Sequence, residues 1–134
     1  MVQVTDKAWN QSAYEGLKMI EKKMGARSAY TEGVAQPDQA EVLSDYARRG
    51  FDLIFAHGGE FDAAGKQVAA KFPKTRFVID NGTNKGPNLA DPQINDFQVA
   101  FLGGFVAGKM TKTDKIAVVA AQTILADRAL TGSR

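Results

Sequence analysis

Strand-like and helix-like stretches alternate along these 134 residues, which predicts an α/β domain built on a doubly wound parallel sheet. Two observations carry the prediction. Phe51–Ala56, Arg76–Asp80 and Lys115–Ala121 are near-continuous apolar runs of the kind found in strands covered on both faces. Between them, apolar residues recur at three- and four-residue spacing and are punctuated by Gly and Pro. The length suits one domain with its own core, so residues 1–134 are read as a single α/β domain.

The elements follow in order. Val2–Thr5 is a short extended start. Gln11–Met24 is a helix, with Tyr14, Leu17, Ile20 and Met24 on one stripe, and Gly25 stops it. Ser28–Thr31 is a weak strand. Pro37 opens a second helix, where Asp38 and Glu41 suit the positive end of the dipole. Val42, Leu43 and Tyr46 give it an apolar face, and Gly50 ends it. Phe51–Ala56 is a strand and Gly58–Gly59 a turn. Phe61–Phe72 is a helix that Pro73 stops, and Arg76–Asp80 is a strand. A Gly-, Asn- and Pro-rich loop covers Asn81–Pro92. Asp96–Met110 is a helix with a bare flank at Gly104 and Gly108. Lys115–Ala121 is a fifth strand, Gln122–Leu130 is helical, and Thr131–Arg134 frays.

Right-handed crossovers give five such strands the flavodoxin-like order 2-1-3-4-5. Ile54, Phe55, Val78, Ile79, Val118 and Val119 are then expected in the core.

Composition narrows the function. Net charge is +2 and the sequence pI about 8.9, with basic residues scattered. The densest spots, Lys22–Lys23 and Arg48–Arg49, read as solvated helix flanks and not as a nucleic-acid stripe. The chain has no cysteine, so disulfides, thiolate chemistry, cysteine metal sites and a cysteine-borne lipid anchor are excluded within it. No run reaches the length of a membrane span, and the first residues have no signal-peptide pattern. No cofactor and no metal are expected.

Open α/β sheets bind ligands outside the carboxyl ends of their strands. The residues placed there are Asp6, Lys7, Ala8, Trp9 and Asn10; His57, Gly58, Gly59, Glu60 and Phe61; Asp80, Asn81 and Gly82; and Ala121 and Gln122. Trp9 can stack on a flat ring, Asp6 and Asp80 can accept from hydroxyls, and Asn10 can donate and accept. Plainer roles compete: Asp6 or Asn10 as helix cap, Trp9 as a hydrophobic staple, Asp80 and Asn81 as turn formers, His57 as a loop-closing hydrogen-bonder. Rival families on this fold fail at the same positions. Thr5-Asp6-Lys7-Ala8-Trp9-Asn10 is neither a dinucleotide fingerprint nor a flavin phosphate loop. A receiver domain would need an Asp ending the third strand and a Lys ending the fifth, where Ala56–His57 and Ala120–Ala121 stand. Gly103–Thr111 looks like a phosphate loop but lies late in a helix.

Four blocks resemble the basic membrane protein family of ABC-importer solute receptors, which includes purine nucleoside receptors. They are Thr5-Asp6 with Trp9–Leu17; Asp45–Ile54 running into His57-Gly58-Gly59; Ala69–Val78; and Phe101–Gly104 with Met110–Ile116. The resemblance implies a lobe of a two-lobed type I periplasmic binding protein, noncatalytic, with a small nucleoside-like ligand between the lobes. It also implies an extracytoplasmic location and, at full length, a transporter permease as partner. By this likeness Asp6 and Asp80 bond the ligand, Trp9 stacks on it beside Asn10, and His57, Gly58, Gly59 and Phe61 belong to the loop beneath it. The loop after Asp6 is shorter than in many members, and the second lobe lies outside these residues. A lone lobe is expected to dimerise through the surface around Phe97 and the tail from Gln122. Two other classes stay open: a small enzyme using Asp6, His57, Glu60 and Asp80, and a self-associating domain without ligand.

Overall fold

A computed structural model of the chain describes residues 5, 7, 9–93 and 96–117. The described elements are α1 (Trp9–Met24), α2 (Gln39–Arg48), β1 (Leu53–Ala56), α3 (Asp62–Ala69), β2 (Arg76–Ile79), β3 (Leu89–Ala90) and α4 (Asp96–Met110). Short 3-10 turns at Gln36–Asp38 and Gly59–Phe61 lead into α2 and α3. The chain forms two compact units, Met1–Gln93 and Ile94–Arg134; the sheet lies in the first and α4 in the second.

Local sequence accounts for the helix ends. The Gly25 N–H donates to the Glu21 carbonyl with Gly25 at φ 65°, a left-handed stop that glycine takes without strain. Gly50, at φ 80°, ends the α2 segment in the same way, and the Phe51 N–H returns to the Tyr46 carbonyl. Pro37 sits in the turn that starts α2, where its missing N–H costs nothing.

The sheet is parallel, in order β1-β2-β3, with Leu53 to Ala56 beside Arg76 to Ile79, and Phe77 and Val78 beside Leu89 and Ala90. Leu43 and Ala47 of α2 and Val68 and Ala69 of α3 join Ile54, Ala56, Phe77, Ile79 and Leu89 in one core. Ile79 and Phe77 are essentially sealed from solvent. Asn88 fastens the entry to β3: its side-chain amide donates to the carbonyls of Ala69, Phe72 and Thr75.

Five sequence expectations change. Phe55 is not buried: β1 alternates, with Ile54 and Ala56 inward and Leu53 and Phe55 outward at about half exposure. Helices α2 and α3 cover one face only, and no described residue of α1 is buried. Val78 is half-buried for the same reason. Ser28–Thr31 forms no strand; Tyr30 is exposed, edge-on to Tyr14 at 5.1 Å. The Asn81–Pro92 segment, expected to be all loop, contributes β3. Lys115–Ala117 are not in a strand, while Val118 and Val119, the tail from Gln122, Val2–Val4 and the side chain of Phe97 lie outside the described residues. The described residues thus show three strands of an α/β parallel sheet, and no described helix is long and apolar enough to cross a membrane.

Candidate functional site

The carboxyl ends of β1 and β2 lie side by side, and the Asp80 N–H donates to the Ala56 carbonyl at 3.0 Å, carrying the pairing one residue further. His57 and Asp80 therefore leave adjacent strand ends. After His57 the chain turns at Gly58, whose φ of 129° is a conformation other residues rarely adopt. A side chain there would also collide with the Glu60 carboxylate. Gly59 comes so close to the next loop that a Cβ would stand 2.6 Å from the Asn81 carbonyl oxygen. The two glycines thus let the loop after β1 close onto the loop after β2.

His57 is the hub of the site. Its Nδ1 stands 3.1 Å from Asp80 Oδ2, with both side chains largely buried. Its Nε2 is 3.0 Å from the Trp9 carbonyl oxygen. Its ring stacks on the Trp9 indole, centroids 4.3 Å apart and planes 17° from parallel. Phe55 continues the row on the His57 ring at 6.0 Å and 28°. Beside this row opens a cleft of about 410 Å³ lined by Asn10, Tyr14, Leu17, Tyr30, Glu32, Val34, Phe55, His57, Glu60 and Phe61, among others. Its wall is mostly aromatic and aliphatic, with a few polar groups, the usual make-up of a small-molecule site.

Asp62 ties the neighbouring loop to the start of α3. It accepts from Thr83 Oγ1 at 2.7 Å and from the Asn84 backbone N–H and side-chain amide at 3.1 and 2.7 Å. Burial pushes its carboxyl up, but the hydrogen bonds from Thr83 and Asn84 together outweigh that and hold it below the ordinary carboxylate range.

Trp9 opens α1 and does not lie in a loop; its side chain is still 39% exposed. Asn10 follows it, half-buried on the cleft wall. His57, Gly58, Gly59, Phe61 and Asp80 gather at the strand ends, and Glu60 is exposed at the cleft edge. Asp6 lies outside the described residues. Sequence reasoning did not place Tyr14, Tyr30, Glu32 and Phe55 at the cleft. Tyr14 was taken up by the helix stripe and Phe55 by the apolar strand. The one available signal was the pair of tyrosines at either end of the Tyr14–Tyr30 segment. Among the described residues no group of three or more His, Cys, Asp or Glu could hold a metal ion.

A parallel α/β sheet with an aromatic and polar cluster outside its strand ends places that cluster where open sheets of this kind bind small ligands. The chain belongs to the Bmp family, described as ABC transporter substrate-binding protein PnrA-like, whose sequence profile matches residues 2–128. It is 31% identical over 121 residues to the transcriptional activator protein med of Bacillus subtilis (strain 168), covering 90% of this chain and 38% of that protein. It is also 31% identical to the ABC transporter nucleoside-binding protein BmpA of Lactococcus lactis subsp. cremoris (strain MG1363), covering 87% of this chain and 34% of that one. A solved ABC transporter solute-binding protein from Conexibacter woesei DSM 14684 superimposes with a TM-score of 0.67 at 29% identity, over 79% of this chain and 37% of that one. The chain thus spans little more than a third of the length of these relatives.

Proposed function

We propose that this chain is the first lobe of a two-lobed, noncatalytic receptor that delivers a purine-nucleoside-like solute to an ABC importer permease outside the cytoplasm. Residues 1–134 make one lobe on this reading, and the complete sheet has the order 2-1-3-4-5. The observation that carries the proposal is the half-exposed Trp9 indole held on His57 at the strand ends, beside Asn10 and Asp80. A flat base would stack on the indole, Asn10 would bond its edge, and Asp80 and Asp6 would accept from ribose hydroxyls. Gly58, Gly59 and Phe61 shape the floor. The similarity to a protein named for nucleoside binding supports this ligand class.

Base–aromatic stacking is worth about 1–3 kcal/mol per base, a large share of what one lobe can offer. Trp9 is the only tryptophan in the chain, so its emission reports on the site. Titration with inosine or guanosine is expected to quench it, and Trp9→Ala to abolish binding. That truncation should cost much less stability than the roughly 3–5 kcal/mol of a buried tryptophan. No response to millimolar nucleoside, or unfolding of Trp9→Ala, would sink the reading.

The similarity to a protein named as a transcriptional activator supports a second reading, a solute-responsive regulator using the same cleft. Salt-sensitive binding to a DNA duplex by the intact protein would favour it.

A further inference from the structure

His57 touches three groups, and their chemistry sets its protonation. Its Nε2 faces the Trp9 carbonyl oxygen at 3.0 Å, and a carbonyl only accepts, so Nε2 carries a proton. In a neutral ring Nδ1 would then be a bare lone pair, 3.1 Å from a carboxylate oxygen of Asp80 that also only accepts. Nδ1 is buried and no hydrogen bond is aligned on it. With Asp80 ionised, the doubly protonated ring suits both neighbours: it donates to the Trp9 carbonyl, pairs with Asp80, and lays a cationic plane against the indole, the arrangement an aromatic quadrupole favours. The carboxylates that share its cleft agree in sign. Glu60 from the turn after β1 and Glu32 from the loop before α2 line the same cleft, as do Tyr14 of α1 and Tyr30, and no lysine or arginine is among the residues lining it.

We propose that His57 is a positioning residue. Held as an imidazolium between the Trp9 carbonyl and the Asp80 carboxylate, it fixes the indole face for ligand stacking and makes solute affinity proton-dependent. The inference rests on the reading of Trp9 as the stacking residue. When Nδ1 loses its proton, its lone pair meets the carboxylate, the pair separates, and the indole loses its platform. The grip is therefore present while the ring carries both protons and is lost when Nδ1 gives one up.

The test uses the ligand-free 134-residue chain first. An imidazolium stacked on an indole quenches its emission, so Trp9 fluorescence should rise as the buffer is taken from acid to alkaline and Nδ1 gives up its proton. His57→Phe keeps a ring without a proton and should flatten the curve. Asp80→Asn removes the opposing charge and should move the rise to lower pH. Affinity for inosine should then fall about two- to tenfold across the same range, as losing one stacked aromatic contact would give, and should be independent of pH in His57→Phe. A wild-type emission that does not change with pH, or a rise that persists in His57→Phe, overturns the proposal. So does an Asp80→Asn curve that matches wild type, because the proton would then sit on Asp80. The underlying reading fails separately: if Trp9→Ala binds inosine normally, Trp9 is not the stacking residue, whatever its emission does.

Discussion

Gly65 lies on the face of α3 that packs on β2, and a Cβ built there would stand 2.6 Å from Ile79 Cδ1 and 2.8 Å from Ile79 Cγ1. Ile79 is fully buried, so its side chain has nowhere to swing. Gly65→Ala should improve helix propensity yet lower stability, by about 1–3 kcal/mol as overpacked cores do. Urea unfolding monitored by circular dichroism reads this directly, and an unchanged or raised midpoint would show that the helix shifts to make room. The same scale shows what a bare sequence conceals. Phe55 reads as core because its neighbours Leu53, Ile54 and Ala56 are apolar, yet the pleat turns it outward to the His57 ring. Trp9 and His57 are 48 positions apart, and no spacing rule predicts that one would stack on the other. That Trp9, Asn10, His57 and Asp80 belong to one region was legible, because strand ends in this architecture converge on one edge.

Among the elements, the junction between α3 and the loop after β2 is held by one acidic side chain. Asp62 gathers Thr83 and Asn84, and its carboxyl is held below its ordinary value of 3.8. A carboxyl with a lowered folded-state pKa contributes stability that is fully present above its unfolded value and is lost as pH falls through the folded one. Asp62 should therefore stabilise the fold at neutral pH and cease to do so in acid below that value. The carboxyl is only partly shielded from water, so the contribution is modest. The urea midpoint of the wild type should drop more between about pH 6 and about pH 3 than that of Asp62→Asn; equal drops would place the acid sensitivity elsewhere. Periodicity made α1 readable, and it begins two residues before the expected Gln11; α4, apolar nearly all round, still spans the expected Asp96–Met110. β1 and β2 were readable from their apolar runs. β3 was hidden because Leu89–Ala90 is too short to show alternation and is embedded in turn formers. What makes it a strand is tertiary: the Asn88 carbonyl accepts from the Phe77 N–H, and its amide ties the carbonyls of Ala69, Phe72 and Thr75 between the end of α3 and the start of β2.

At the scale of the whole molecule, α4 poses the remaining question. Apart from Asp96 at its start and Lys109 near its end, Asp-Phe-Gln-Val-Ala-Phe-Leu-Gly-Gly-Phe-Val-Ala-Gly-Lys-Met carries no charge, so the helix is apolar nearly all round. Phe101, Leu102, Phe105, Val106 and Met110 are each more than half exposed. A surface helix of a soluble protein normally carries a polar face; one that is apolar all round belongs in a core or an interface. At about 25 cal/mol per Å² of apolar area removed from water, covering even part of such a surface outweighs most polar contacts available to it. We therefore expect the 134-residue chain to self-associate through α4. A Phe101→Lys, Phe105→Lys double variant places two charges one helical turn apart on the same side and should abolish the association. It should do so without disturbing the Leu43, Phe77 and Ile79 core, to which neither phenylalanine belongs. Sedimentation velocity across a concentration series should show dimers or larger species for the wild type and a monomer for the variant. A wild type that stays monomeric at high concentration, or a variant that associates equally, would mean that α4 is covered within its own chain.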